Sequence, residues 1–415
     1  MATIPSLALI PSGYKASKVY SVLPTDGTGD FDFTRSGSAT RVNSEGLIEL
    51  VSTNVPRLNY PLIDGVVQGC PSLLLEPQRI NLIQYSEDFS NAYWTKAGSS
   101  VVSGFTSPDG TANAFKLVED TSTGTHKINH TSVTSNIYTI SVFAKYNGRI
   151  LQLASTSTGG HYANFDLLNG VIGNFGGTTE NVTITEISNG WYRCSMTTTS
   201  NMNTAIINTV QSVTSVYQES YTGDGTSGVY IWGAQLEAGS YPTSYIPNYG
   251  TALGVTRSAE TCNNAGDAST FNSSEGVLFA EISALANDDG TNRGISISDG
   301  TISNRVYVSY TTTTNQITAV YTYSGGTQVS INETLTDSTQ FIKFAFKYKE
   351  NDCAFWVNGI EVGTDNTATA FAADTLDTLN FDSGAGGSDF YGKTKDLRVY
   401  NTALTDAELQ ALTTI

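Results

Sequence analysis

The segment from Ile342 to Val362 limits the fold of this chain more than any other. Ile342, Phe344, Phe346 and Tyr348 alternate with Lys343, Ala345, Lys347 and Lys349. Successive side chains of a strand point to opposite faces, so this period of two predicts a strand with one apolar and one largely charged face. Phe355-Trp356-Val357 then meets Asn358-Gly359 and leaves through Ile360-Glu361-Val362. A two-residue hairpin turn requires positive φ at both central residues, and Asn-Gly supplies it at low cost. The period recurs in Tyr138, Ile140, Val142, Ala144 and Tyr146, set against Thr139, Ser141, Phe143 and Lys145 with one imperfect position. Gly190-Trp191-Tyr192-Arg193-Cys194 and Val229-Tyr230-Ile231-Trp232 are further strands, bounded by Asn189-Gly190 and Gly223-Asp224-Gly225. A helix is predicted only at the end, where Thr405-Asp406-Ala407-Glu408 forms a capping box ahead of Leu409 and Leu412. The fold class is all-β, built from β-sandwiches with one short C-terminal helix.

A chain of 415 residues exceeds one ordinary sandwich. Residues 1–84 carry only short apolar pieces, such as Leu47 to Val51 and Leu73-Leu74-Leu75, between Gly, Pro and Asn. They read as a thin anchoring region whose core is completed by a neighbour or another copy. Residues 85–258 read as one sandwich and 268–415 as a second, with a polar linker from Thr256 to Thr270.

The formal charge of −17 argues against nucleic acid and anionic membranes as partners, since both attract basic surfaces. Cys70, Cys194, Cys262 and Cys353 lie far apart with no C-x-x-C pair, so a zinc site is not expected. Cys194 and Cys353 fall inside strand-like runs and read as buried free thiols. Met1 to Leu9 lacks a basic leader segment, and no apolar run is long enough to span a bilayer. A release route by host lysis is expected rather than secretion, and membrane insertion is not.

Three stretches carry resemblances. Phe33-Thr34-Arg35-Ser36-Gly37-Ser38-Ala39-Thr40-Arg41, Asn54-Val55-Pro56-Arg57 and Leu74-Leu75-Glu76-Pro77-Gln78-Arg79-Ile80-Asn81-Leu82 resemble the N-terminal segment of tail-fibre, spike and head-fibre proteins of bacterial viruses. Tyr85 to Trp94, with Trp232-Gly233-Ala234-Gln235-Leu236-Glu237 and Tyr241 to Pro247, resemble the carbohydrate-binding-module-like jelly roll that follows that segment. Trp356-Val357-Asn358-Gly359 and Asp396 to Leu409 resemble the concanavalin A-like sandwich of the laminin-G type. The resemblance implies a bacteriophage structural protein made in the bacterial host cytoplasm and mounted on the virion surface. It implies a homotrimer, held by residues 1–84 against other virion structural proteins, whose sandwiches attach to host surface glycans. A capsid or vertex decoration without receptor binding is the alternative. Arg35, Arg41, Arg57 and Arg79 suit bidentate ties to carboxylates or carbonyls.

No catalytic machinery is legible, and no enzyme activity is expected. The Glu-x-Asp-x-x-Glu pattern of glucanases on this fold is absent, and Glu281 and Glu361 each stand alone on a strand. His126, His130 and His161 sit in polar, loop-like contexts without a Gly-x-Ser-x-Gly elbow. Binding is the expectation, because sugar-binding sandwiches stack aromatic faces on pyranose rings and use amides or carboxylates for hydroxyls. Tyr93, Trp94, Tyr162, Trp191, Trp356 and Tyr391 are the carbohydrate-binding candidates, with Tyr323 beside them and Trp232 assigned to the core. Asp224, Asp288, Asp289, Asp382 and Asp389 lie in oxygen-rich loops of the kind that hold structural calcium; no other cofactor is required. Asp396 and Arg398 are expected to pair with each other.

Overall fold

The computed structural model describes residues 3–131, 137–156, 160–200, 202–287 and 290–415. The protein is all-β, with a single α-helix among the described residues at Asp406–Thr413. No helix among them is long and apolar enough to cross a membrane.

The predicted hairpin forms as read. Cys353–Val357 and Ile360–Asp365 pair with Val357 opposite Ile360, and Asn358 and Gly359 take φ of 51° and 81°. Ile342–Lys349 lies beside them and sends Ile342, Phe344, Phe346 and Tyr348 into one core. Ala345 and Trp356 face the opposite side, where Leu409 of the capped helix packs on them. The sheet continues through Glu275–Ala284 to Gly392–Tyr400. A second sheet, running from Gly326–Thr334 to Thr378–Asn380, closes the sandwich.

The N-terminal residues complete this sandwich. Leu7–Leu9 pairs with one half of Gly392–Tyr400, Leu7 opposite Val399, and Ser72–Leu75 pairs with the other half, Leu73 opposite Thr394. Leu7, Leu9, Phe31, Phe33, Leu58, Leu73 and Leu75 belong to the same core as Phe344 and Phe355. The apolar surface expected to wait for another copy is therefore covered within the chain. Burial of a leucine contributes roughly 1.5–3 kcal/mol, so these strands are integral to the sandwich. The stretch read as a linker is ordered too: Thr261–Asn263 pairs with Phe31–Thr34, and Cys262 and Ala265 enter the core.

The middle of the chain forms a second sandwich of two six-stranded sheets. Ile140, Val142 and Ala144 of Tyr138–Asn147 point into its core, while Phe143 packs on Trp232 and Tyr245 outside it. The chain enters this body through Arg79–Asn81 and leaves through Val255–Arg257, two strands paired side by side. This sandwich is thus an insertion within the other.

A charged seam and the cleft beside it

Pro77 lacks an amide hydrogen and ends the strand Ser72–Leu75, which leaves Glu76 at the junction of the two bodies. Glu76 and Glu260 are fully occupied there. Arg57 donates Nε to Glu260 Oε1 at 2.8 Å, a second arm to Glu260 Oε2, and Nη1 to Glu76 Oε2 at 2.7 Å. Arg35 Nη1 reaches Glu260 at 2.7 Å, and Arg257 Nη1 lies 2.9 Å from Glu76. Ser244 adds its amide and hydroxyl to Glu76 at 2.7 and 2.6 Å. Burial opposes ionisation of Glu76, but the Arg257 and Arg57 guanidiniums and the Ser244 donors outweigh it and hold the carboxyl below its ordinary range. Arg57 ties Glu260 bidentately, whereas Arg35 makes a single bond to Glu260 and spreads its other donors over the Gly37, Val55 and Ser52 carbonyls, all within one chain.

Beside this seam opens a cleft of about 460 Å³ between the two sandwiches. Phe143, Thr185, Arg193 and Tyr241 line it from the middle sandwich, and Leu285, Thr339 and Lys393 from the other. Arg193 is half-buried over the Phe143 ring and donates to Ser141 Oγ at 3.1 Å. Burial lowers its pKa against the pull of Glu237 and Glu76. Lys393 is half-buried as well, and desolvation lowers its pKa while Glu76 raises it. The single acid lining the cleft among the described residues is Glu76, whose two oxygens already accept from Arg57 and Ser244. Among the described residues the cleft offers no second carboxylate to complete a general acid and base pair.

The sequence-predicted aromatics divide. Trp94 is buried in the middle core with Nε1 donating to the Tyr85 carbonyl at 3.0 Å. Trp191 packs with Phe143 and Trp232, and Trp356 packs under the C-terminal helix. All three indoles are buried: Trp94 in the middle core ahead of Thr95–Ala97, Trp191 in the cluster of Phe143, Tyr245 and Trp232 on the outer face of its sheet, and Trp356 under the helix; Trp232 is buried as expected. Tyr93 is half-buried and stacked on His130 at 3.5 Å and 14°. Tyr162 is half-buried with Tyr217 at 6.3 Å between ring centres. Tyr391 donates to Asp389 Oδ2 at 3.2 Å, and Tyr323 packs near Phe371. None of the six candidates lines the cleft.

The aspartates divide as well. Both Asp224 oxygens are taken, Oδ1 by Thr226 and Ser227 and Oδ2 by Ser227 and Arg149. That is a closed turn, and its hydrogen bonds from Ser227 and Thr226 hold the carboxyl low. Asp382 accepts from Gly384 N and Asn263 Nδ2, with burial raising its pKa, as burial also does for Asp389. Asp288 and Asp289 lie outside the described residues. Among the described residues no group of three or more His, Cys, Asp or Glu is placed to hold a metal ion.

All three histidines are strand residues rather than loop residues, His130 pairing opposite Ala205. His126 and His161 are buried in His126–Thr131 and His161–Asp166. His161 accepts from Thr178 N at 2.8 Å and meets Ser200 Oγ at 2.9 Å, which fits a neutral ring and a pKa lowered by burial. Glu281 is not alone: it stands opposite Asp396 in the sheet, with Lys395 at 3.5 Å. Arg398 holds Asp396 with both arms, as expected. Sequence reading missed a row of amides across three strands, Asn208, Gln152 and Asn164, closed over by the segment Val213 to Gln218. It also missed the cleft.

Comparison with known proteins follows the architecture. Residues 278–410 match the concanavalin A-like lectin/glucanases superfamily. That segment, which includes most strands of the outer sandwich and the C-terminal helix, is similar to a concanavalin A-like β-sandwich. No curated protein matches the chain significantly. Among solved structures, it is similar to the CBM40 of the Ruminococcus gnavus IT-sialidase bound to α2,3 sialyllactose, at 16% identity and TM-score 0.30, over 34% of this chain and 84% of that one. A leech intramolecular trans-sialidase complexed with 2,7-anhydro-Neu5Ac matches at 19% identity and TM-score 0.30, over 35% and 24%. Domain 4 of AbnA, an extracellular arabinanase from Geobacillus stearothermophilus in complex with arabinotriose, matches at 13% identity and TM-score 0.29, over 38% and 73%. At such scores these likenesses carry nothing further about this chain.

Proposed function

We propose that this chain is a non-catalytic, glycan-binding β-sandwich protein of a bacteriophage particle, attaching the virion to sugars on the host surface. The observation that carries the binding part is the inter-sandwich cleft. It is lined by Phe143 and Tyr241, by exposed hydroxyls such as that of Thr185, and by the cationic donors Arg193 and Lys393. Clefts of this size, apolar with a few convergent polar groups, are the usual form of a small-molecule site. The occupied state of Glu76 supports binding over hydrolysis. The viral part rests on the fibre and spike resemblance of residues 33–82 and 85–247, and homotrimeric assembly and attachment to other virion proteins are proposed with it.

Three measurements test this reading. A glycan array probed with the intact chain is expected to light up on envelope oligosaccharides, and a blank array overturns the binding part. Antibody labelling in electron micrographs is expected to decorate phage particles; unlabelled particles overturn the viral part, and the labelled position separates tail from capsid vertex. Light scattering on the purified protein is expected to give three chains per particle, and a monomer overturns the trimer.

A further inference from the structure

The seam between the sandwiches carries more positive than negative charge, although the whole chain has a net charge of −17. Arg35, Arg57, Arg79, Arg193, Arg257 and Lys393 converge there, answered among the described residues by Glu76, Glu237 and Glu260. The pairings are unequal. Glu260 serves Arg35 and Arg57, and Glu76 serves Arg57 and Arg257. Glu237 lies 3.9 Å from Arg79 and accepts from Thr243 and Gln235. Arg193 and Lys393 are left over. Neither has a carboxylate within ion-pair distance among the described residues, and both line the cleft.

Uncompensated charge is costly at half-buried positions, and an anion arriving in the cleft would relieve both residues at once. We infer that the cleft is an acceptor for the carboxylate of an acidic sugar, with Arg193 and Lys393 as its two cationic contacts. This rests on the glycan-binding reading and specifies its ligand class. Arg193 offers a planar fork that matches a carboxylate, and Lys393 approaches from the facing sandwich as a point charge. Thr185 and Thr339 place hydroxyls on the two walls for the ring hydroxyls of the same sugar. Because one contact comes from each sandwich, the ligand bridges the two bodies.

The test is calorimetric titration of the full chain with oligogalacturonate and with the matching neutral galactose oligomer. The acidic oligomer is expected to bind about tenfold tighter or better, with a preference that weakens as salt rises. Lys393→Gln and Arg193→Gln are each expected to reduce acidic binding to the neutral level. The Lys393 side chain makes no hydrogen bond among the described residues, so its variant decides the matter should the arginine variant fail to fold. Equal binding of acidic and neutral oligomers overturns this inference and leaves the glycan reading standing. A preference that survives Lys393→Gln also overturns it, since the anion then sits elsewhere. Binding of neither oligomer overturns this inference, and the glycan array then decides the reading on which it rests.

Discussion

Glu260 closes a two-armed ion pair on Arg57 across 203 residues of sequence, and the same carboxylate accepts from Arg35. All three side chains are excluded from water. Glu260→Gln would leave two buried guanidiniums short of an anion, and a loss of about 3–5 kcal/mol is expected in urea denaturation. Glu49→Gln, which removes the half-exposed partner of Arg41, is expected to cost under about 1 kcal/mol. Similar losses for the two would show that the seam contributes no more than a surface pair.

Acid should weaken the same seam. The Glu76 carboxyl sits below its ordinary range when folded and returns to about 4.3 when unfolded. A lowered carboxyl contributes stability that is complete above the unfolded value and is lost as pH falls through the folded one. The urea midpoint is therefore expected to fall below about pH 4, and less steeply in Glu76→Gln than in the wild type. Parallel slopes for both proteins would remove Glu76 from the account.

Thiol chemistry separates the cysteines. Cys70 is exposed, whereas Cys194, Cys262 and Cys353 are buried. Burial pushes the Cys353 thiol up to about 11 and raises Cys194 and Cys262 as well. A chromogenic thiol reagent is expected to find one fast site in the native chain and four after denaturation. Two or more fast native sites would contradict this packing.

Leu73 tests whether the N-terminal strands belong to the sandwich that carries Gly392–Tyr400. It is fully buried opposite Thr394. Leu73→Ala is expected to cost about 2–5 kcal/mol. Leu253→Ala, at a residue 91% exposed, should change stability by no more than about 0.5 kcal/mol. Equal, small effects would mean that residues 1–84 hang on the sandwich without supporting it.

Local features were legible in the sequence. The phase of Ile342 to Lys349, the Asn358-Gly359 turn and the Thr405–Glu408 capping box are set within a few residues, so reading them needs no partner. Pairing across the chain was hidden. Leu7 meets Val399 and Arg57 meets Glu260 because tertiary packing brings them together, and no spacing rule marks them. The tryptophans misled for a related reason: an indole looks the same in sequence whether its strand face is covered or open. Lys393, a cation beside the buried Gly392 and Thr394, is the one local trace of the cleft.

The paired strands Arg79–Asn81 and Val255–Arg257 set the exit of the middle sandwich beside its entrance. An element attached in that way can be exchanged by recombination without re-threading its host, since the flanking ends already meet. Binding specificity housed in it could then change by module replacement while the surrounding scaffold keeps its sequence. The buried arginines and glutamates at the neck, with Ser244 and Thr243 of the insert bonded to Glu76 and Arg257, set the terms of such an exchange. A replacement module that does not bring matching hydroxyls to that spot leaves the neck's charges unsatisfied, so heredity should preserve the socket more strictly than the plug.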